Sequence, residues 1–225
     1  AMLHERRRED LDLPFLRDRT ASPYLVGPNG YYLREPSCGK PLLWDTRRNA
    51  AVPFDTPDTL PALEGRFTVP EAYEQGPDED RWQHRDVASE PSFAKLVAHV
   101  QPYSPEWAEK ICEVPAERIR RVANEFVDHA RVGETIEIDG EVLPFRPVSV
   151  TLGKTVNNGW GAFDCCWSRT VMAVLVGALE VPGGTLGTTV RINRPHEDRH
   201  QSVKPGEDGF MVHSLNPTDP KRWMR

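Results

Sequence analysis

The second half of the sequence predicts an α/β fold with a parallel sheet. Residues 148–152 alternate aliphatic side chains with Ser149 and Thr151, which is typical of a strand that buries one face. Residues 165–180 are apolar nearly all round and indicate a helix buried between layers. An amphipathic helix precedes the strand, and a polar loop over 153–164 follows it. A helix, a strand, a loop and a buried helix in this order favour a parallel α/β sheet.

Three segments predict β-hairpins. Residues 23–34 contain two apolar and aromatic runs around a Pro-Asn-Gly turn, and residues 41–54 contain two apolar runs around a charged turn. Residues 135–145 alternate around Asp139 and Gly140, which is the strongest short hairpin signal in the chain.

Helical patterns begin near residue 91. A first amphipathic helix is predicted by apolar residues at helical spacing, namely Phe93, Leu96, Val97 and Val100. Ser104 supplies an N-cap for a second helix, and Pro105 suits its first position. Pro115 opens a third helix, whose apolar stripe consists of Ile119, Val122, Ala123, Phe126 and Val127.

The remaining segments suggest how the chain is organised. Residues 65–90 are polar and acidic and follow neither the helical nor the strand period, so we expect an exposed loop there. We expect 1–64 to be a hairpin-rich segment that continues a domain begun upstream, and 91–195 to be an α/β ligand-binding region. An irregular segment over 196–225 would lead to a further domain. No signal peptide precedes the first helix, and we expect an internal piece of a longer protein.

Composition argues against two classes of function. The net charge of −6 over 225 residues disfavours nucleic-acid binding, which usually needs a basic face. No apolar run reaches the roughly 20 residues of a membrane-spanning helix, so we expect no direct membrane insertion. The cysteines are Cys38, Cys112, Cys165 and Cys166, without the CxxC spacing of a metal site. We interpret Cys165 and Cys166 as small buried hydrophobic residues.

The polar loop is the main candidate for a binding site, because open α/β sheets bind ligands beyond the carboxyl ends of their strands. A P-loop does not fit, since Gly153, Lys154 and Thr155 match its end but Val148 stands where its leading glycine should be. A dinucleotide fingerprint does not fit either, because Gly153 and Gly159 are too far apart for GxGxxG.

A bulkier ligand fits the loop better. Asn157 and Asn158 offer carboxamide donors and acceptors. Lys154 offers a charge for phosphate, and Trp160 offers a face for stacking. This set suits a heterocycle that carries a nucleotide. A glycine-rich turn that only connects the strand to the helix is the structural alternative.

Three segments share motifs with one known family. Residues 12–26 read DLPFLRDRTASPYLV, residues 103–127 contain Pro-Ala-Glu-x-Ile-Arg-x-x-Ala, and residues 146–187 contain Leu-x-Gly-x-x-x-x-Pro-Gly-Gly. In this order they resemble the molybdopterin oxidoreductases, the dimethyl sulfoxide reductase superfamily. The 135–145 hairpin is an insertion relative to the shorter members. The chain is therefore identified as similar to the central part of such a catalytic subunit.

The resemblance implies a cofactor and a site. Members bind molybdenum or tungsten through two molybdopterin guanine dinucleotides, and the matching loop lies against one of them. The residues it assigns to cofactor binding are Gly153, Lys154, Thr155, Asn157, Asn158, Gly159 and Trp160. They would bind and orient the cofactor, whose metal carries the redox chemistry. A [4Fe-4S] cluster would be bound by an N-terminal part outside this chain, and the ligand to the metal would also lie upstream. No catalytic residue or metal ligand is predicted here.

The predicted function is thus a fragment of a molybdenum- or tungsten-dependent oxidoreductase catalytic subunit, inactive alone. The resemblance also implies a small-molecule substrate, an iron–sulfur subunit for electron transfer and, in membrane-associated members, an anchor subunit. The 135–145 insertion and the loop together favour membrane-associated anaerobic members, such as those that oxidise phenylacetyl-CoA or reduce sulfur oxyanions. The alternative is a non-catalytic binding domain that retains the architecture. A metal hydrolase would instead need His196 and His200 as a ligand pair in a polar stretch. The sequence leaves open whether the protein is cytoplasmic or periplasmic.

Overall fold

The computed structural model describes residues 1–151 and 159–185, together with the backbone of 203–205 and 211–213. The helices of this part are α1 (Met2–Glu5), α2 (Leu13–Arg19), α3 (Ser92–Val100), α4 (Pro105–Cys112), α5 (Ala116–His129) and α6 (Ala162–Leu175). The strands are β1 (Leu25–Val26), β2 (Leu33–Arg34), β3 (Leu42–Asp45), β4 (Ala50–Pro53), β5 (Phe67–Gln75), β6 (Arg81–Pro91), β7 (Thr135–Ile138), β8 (Glu141–Pro144), β9 (Val203–Pro205) and β10 (Met211–His213).

The largest described sheet is antiparallel, with the strand order β1-β6-β5-β2. At its centre β5 and β6 form a long hairpin, in which Phe67 lies opposite Ser89 and Gln75 lies opposite Arg81. The prediction of an exposed acidic loop over 65–90 is therefore wrong.

Although this hairpin is polar, its residues alternate between half-buried and exposed with the period of two that is typical of a strand. Trp82 and His84 are half-buried, whereas Arg81, Gln83 and Arg85 on either side of them are exposed. Side chains alternate between the two faces of a strand, so the charged residues occupy the solvated face. The alternation is readable in the sequence, but the surrounding acidic residues make it resemble a loop.

Two of the three predicted hairpins are confirmed in full. β3 and β4 pair antiparallel, with Leu42 opposite Pro53. β7 and β8 pair across Asp139 and Gly140, whose φ angles of 53° and 84° are both left-handed, as a two-residue type I′ turn requires. The third hairpin, over 23–34, keeps one antiparallel bridge beside its turn, while β1 and β2 pair with β6 and β5.

The three predicted helices in the middle of the chain are confirmed as α3, α4 and α5. The hydroxyl of Ser104 caps α4 by accepting a hydrogen bond from the backbone N–H of Trp107 at 3.2 Å. The apolar stripe of α5 is buried at Ala123 and Val127, whereas Val122 is 51% exposed. One edge of this stripe therefore lacks a described neighbour to cover it.

The main hydrophobic core lies where α3, α5 and α6 meet the N-terminal segment. Its buried residues include Leu11, Leu16, Phe93, Val127 and Leu175. A smaller core in the sheet region consists of Leu25, Leu33, Leu42, Val69, Ala72 and Val87.

The predicted parallel sheet is not seen, because the sheets of the described residues are antiparallel. One isolated parallel bridge joins Leu179 and Thr185. Residues 148–151, the described part of the predicted strand, form no strand. The N–H of Val148 instead donates to the carbonyl of Arg146 at 2.8 Å. β-Branched residues favour an extended chain, but they do not supply the neighbouring strand that a sheet needs.

The helix after the loop is α6, which is shorter than the predicted 165–180 and is not buried all round. Phe163 is 81% exposed and Trp167 is 50% exposed, whereas Leu175 is buried. The chain turns away at Gly177, which has a left-handed φ of 65°. The core therefore covers the C-terminal part of α6 and leaves much of its N-terminal part uncovered.

The chain divides into two compact units, Ala1–Thr185 and Leu186–Arg225. In the second unit β9 and β10 pair antiparallel, with His213 opposite Val203. Across the described part of the chain, no helix is both long enough and apolar enough to cross a lipid bilayer.

Candidate functional site

Only the end of the predicted binding loop is described. Gly159 and Trp160 lead into α6. The other predicted residues, Gly153, Lys154, Thr155, Asn157 and Asn158, lie outside the described residues, as do His196 and His200. The structure therefore shows how the chain approaches and leaves the loop.

The chain leaves the loop through an exposed tryptophan and a left-handed glycine. The Trp160 side chain is fully exposed. Gly161 is the N-cap of α6, with φ 69° and ψ 14°, and no side-chain hydrogen bond caps the helix there. A Cβ on Gly161 would meet nothing within 4 Å. An open cleft of about 510 Å³ is lined by residues 159–164. Glycine backbone, an indole face and first-turn amides are therefore accessible at this end.

The charge at this helix start favours a heterocycle over a phosphate. A helix N-terminus attracts anions through its free N–H groups, but Asp164 in the first turn adds a negative charge of its own. A carboxylate repels phosphate and accepts hydrogen bonds from ring N–H and amino groups. The described end of the loop thus provides an acceptor and a stacking face rather than a phosphate cradle.

The chain that leads into the loop is held by the same helix. The guanidinium of Arg169, in the second half of α6, donates from Nε to the carbonyl of Val150. At the other end of the loop, Gly159 accepts a hydrogen bond from the N–H of Ala162, and Gly161 is the N-cap of α6. Both ends of the loop are therefore attached to α6.

Upstream of Val150, Arg146 forms the centre of a buried polar cluster and is 5% exposed. Its guanidinium donates to Oδ2 of Asp12 from Nη2 at 2.8 Å and from Nε at 3.2 Å. It also donates to the main-chain carbonyls of Arg131, Glu134, Phe145 and Val176, at 3.3, 3.0, 2.8 and 3.1 Å. We call Arg146, Asp12 and these four carbonyls the Arg146 junction. A guanidinium has five N–H donors in a fixed planar array, and all three of its nitrogens are used here.

Asp12 connects this junction to two helices. Its Oδ1 accepts a hydrogen bond from the N–H of Phe15 at 3.0 Å and so caps α2. Its own N–H donates to the carbonyl of Leu175 at 3.0 Å, at the C-terminal end of α6. Asp12 therefore fixes the start of α2 and the Arg146 side chain through its carboxylate, and the end of α6 through its main-chain N–H.

Two glycines allow the main chain to pass close to the junction. Gly177 has φ 65°, and a Cβ there would overlap the carboxylate of Asp12. Gly183 has φ 83°, and a Cβ there would lie 2.8 Å from Cα of Pro147. Both positions combine a left-handed backbone with no space for a side chain, so each requires glycine.

The junction joins segments that are far apart in the chain and that carry the family resemblance. Asp12 belongs to the segment 12–26, whereas Arg146 and Gly177 belong to the segment 146–187. Neither Asp12 nor Arg146 is among the site residues predicted from the sequence. Asp12 before Leu-Pro is an N-cap signal, but the ion pair spans 134 positions and has no local signal.

An apolar cavity of about 530 Å³ lies along the partly exposed side of α6. Its lining includes Leu96, Ile119, Trp167 and Val171. The lining is mostly apolar and offers packing surface, and its polar side chains are His4, Tyr103, Arg118 and Ser168.

The cysteines do not form a metal site in the described part of the structure. Cys38, Cys112 and Cys165 are exposed and Cys166 is half-buried, so the interpretation of Cys165 as a buried residue is wrong. It lies on the part of α6 that the core leaves uncovered. Within the described residues, no group of three or more His, Cys, Asp or Glu side chains could hold a metal ion.

Comparison with known proteins finds a distant relative. No protein-family model matches the chain. The chain is 27% identical over 163 residues to a sulfite dehydrogenase subunit from Allochromatium vinosum. The match covers 67% of this chain and 15% of that relative, so the chain spans less than a fifth of its length. The chain is thus a distant homologue of part of a sulfite dehydrogenase subunit.

Proposed function

We propose that the chain is part of the catalytic subunit of a molybdenum- or tungsten-dependent oxidoreductase that acts on a sulfur oxyanion. The loop over 153–160 contributes to the binding of one molybdopterin guanine dinucleotide. The sulfur oxyanion is proposed from the name of the distant relative and from the resemblance of the loop to sulfur-oxyanion reductases.

One observation carries this proposal. Asp12 comes from one segment that resembles the molybdopterin oxidoreductases, and Arg146 and Gly177 come from another. Asp12 pairs with Arg146 in the buried junction and lies against Gly177. Chance similarity at separate places in a sequence gives no reason for the matched residues to contact one another. Their contact supports a shared architecture, in which the junction lies directly before the proposed cofactor loop.

The described residues fit a pterin or guanine ring beside α6. Gly161 leaves open space at the helix start, the Trp160 ring is free to stack, and Asp164 can accept hydrogen bonds from ring N–H groups. When bound, such a cofactor supplies two-electron redox chemistry at its metal. The residues of this chain bind and orient the cofactor and exclude water from one side of it.

Other parts of the activity are assigned to regions beyond this chain. The metal ligand and a [4Fe-4S] cluster belong to the upstream part of the catalytic subunit. An iron–sulfur subunit carries electrons away from the site or towards it. These assignments follow from the resemblance.

The test uses the intact protein purified without oxygen. Molybdenum and tungsten are measured by mass spectrometry, pterin by fluorescence after oxidation, and sulfite oxidation with an artificial electron acceptor. We expect one metal atom, two pterins and two guanine nucleotides per catalytic subunit. An intact protein without either metal and without pterin would remove the proposal and leave the non-catalytic binding domain. A cofactor-loaded protein that does not act on sulfite would overturn only the substrate.

A further inference from the structure

The Arg146 junction fixes the chain immediately before the proposed cofactor loop. The side chain of Arg146 is held by one carboxylate and four carbonyls, and its backbone N–H donates to the carbonyl of Pro182 at 3.0 Å. Position 146 is thus fixed through both its side chain and its main chain.

The residues that follow are fixed by their connection to position 146. Pro147 has a restricted φ angle and lies directly against Gly183, without room for a side chain there. Three residues further on, the carbonyl of Val150 is held by Arg169. The segment 146–150 is therefore attached at both ends, to the junction and to α6.

We infer that Arg146, acting through Asp12, is a positioning residue for the cofactor loop. It sets the place and direction from which the chain enters the loop, without touching the cofactor itself. The inference rests on the proposed function, because a loop that binds no cofactor would have no need of this precision.

The chemistry of the guanidinium explains why arginine is required. A lysine at position 146 could keep an ion pair with Asp12, but one ammonium group cannot replace three nitrogens in a fixed plane. The carbonyls of Arg131, Glu134 and Val176 would lose their donor. A positive charge at position 146 is therefore not sufficient to hold the segment 146–150 in place.

The test compares three variants of the intact protein. Arg146→Lys and Asp12→Asn alter the junction. Glu74→Gln is the matched control, since Glu74 is also a fully buried carboxylate with several donors but anchors a turn of the sheet region. Each variant is measured for metal and pterin content, thermal midpoint, and hydrogen exchange of the peptide over 147–151.

We expect Arg146→Lys and Asp12→Asn to lower metal and pterin content about tenfold, which corresponds to about 1.4 kcal/mol of weaker cofactor binding. Exchange over 147–151 should become faster in both. Glu74→Gln should keep its cofactor even where its thermal midpoint falls as far. Equal cofactor content in all three variants at equal thermal midpoints would overturn the inference.

A separate variant covers the case in which the junction variants do not fold. Gly183→Ala leaves the ion pair intact but pushes a methyl group against Pro147. It should also lower cofactor content and speed exchange over 147–151. Full cofactor content in Gly183→Ala would count against the inference. Absence of metal and pterin from the unsubstituted protein would overturn the proposed function, and the inference with it.

Discussion

Two buried polar anchors hold different parts of the molecule. One is Glu74 in the sheet region, and the other is the Arg146 junction in the main core. Glu74 is fully buried and accepts hydrogen bonds from the main chain and side chain of Asn29, the N–H of Tyr31 and the ring of His84. Asn29 and Tyr31 are themselves exposed. Glu74 therefore holds a surface turn, and water can reach its donors if the carboxylate is lost.

The Arg146 junction instead connects segments of the main core. Its acceptors include a buried carboxylate at Asp12 and the carbonyl of Val176, which is 0% exposed. Water has little access to these groups. Burial of an anchor therefore does not by itself determine how much the fold depends on it. The burial of its partners, and the segments that they join, decide what is lost with it.

The largest expected difference between the two anchors is in the free energy of unfolding. Arg146→Ala should lower the free energy of unfolding by about 3–5 kcal/mol, because it leaves a buried carboxylate unpaired. Glu74→Ala should cost about 1–3 kcal/mol, since water can replace the lost acceptor. Urea denaturation of both variants measures the difference. An equal or larger loss of unfolding free energy in Glu74→Ala would contradict the proposed difference between the two anchors.

The second effect contrasts the two ends of α6. Leu175→Ala should cost about 2–5 kcal/mol, because it opens a cavity in the core. Phe163→Ser should change the free energy of unfolding by no more than about 0.5 kcal/mol, because Phe163 is 81% exposed. Thermal denaturation compares them. A large loss for Phe163→Ser would show that the N-terminal part of α6 has a partner within this chain.

The smallest effect concerns two surface carboxylates, Glu35 and Glu106, whose pKa values are low for different reasons. Hydrogen bonds from Ser37 and Cys38 lower the pKa of Glu35 to about 2. Arg120 lowers the pKa of Glu106 to about 2, chiefly through a hydrogen bond from its guanidinium. High salt screens charges over about 3 Å at 1 M, so it should raise the pKa of Glu106 more than that of Glu35.

NMR titration with and without 1 M salt measures both carboxylates. Each pKa lies below the usual 4.5, so any stability linked to them is present above about pH 4.5 and is lost as the pH falls towards 2. Arg120→Gln should raise the pKa of Glu106 and leave that of Glu35 unchanged. Equal salt sensitivity of the two groups would contradict this assignment of causes.

Local features of the fold could be predicted from the sequence, and features that depend on distant partners could not. The hairpin at Asp139 and Gly140 is encoded in two residues, and α4 is encoded in the cap at Ser104. The alternation over 148–151 favours an extended chain, but no neighbouring strand exists for it in the described structure. The polar strands within 65–90 resemble a loop because their charged face is solvated.

The candidate site shows the same division. Gly159 and Trp160 lie at the start of α6, as a loop that leads into a helix requires, and their role in cofactor binding stays a prediction. The Arg146–Asp12 pair could not be found from sequence, because its partners are 134 positions apart. The exposure of the N-terminal part of α6 could not be predicted from the sequence either, because an apolar helix does not reveal which of its faces the core will cover.

The binding of a molybdopterin dinucleotide by the loop before α6 can be tested by removing the side chains of its two asparagines. The double variant Asn157→Ala/Asn158→Ala is prepared in the intact protein, beside Asn124→Ala on α5 as a control. Loss of two hydrogen-bonding side chains, each worth about 1 kcal/mol, should weaken cofactor binding about thirtyfold and so lower the cofactor content. The control should keep its metal and pterin, and both proteins should keep their secondary structure, measured by circular dichroism. Unchanged metal and pterin in the double variant would show that this loop is not the cofactor site.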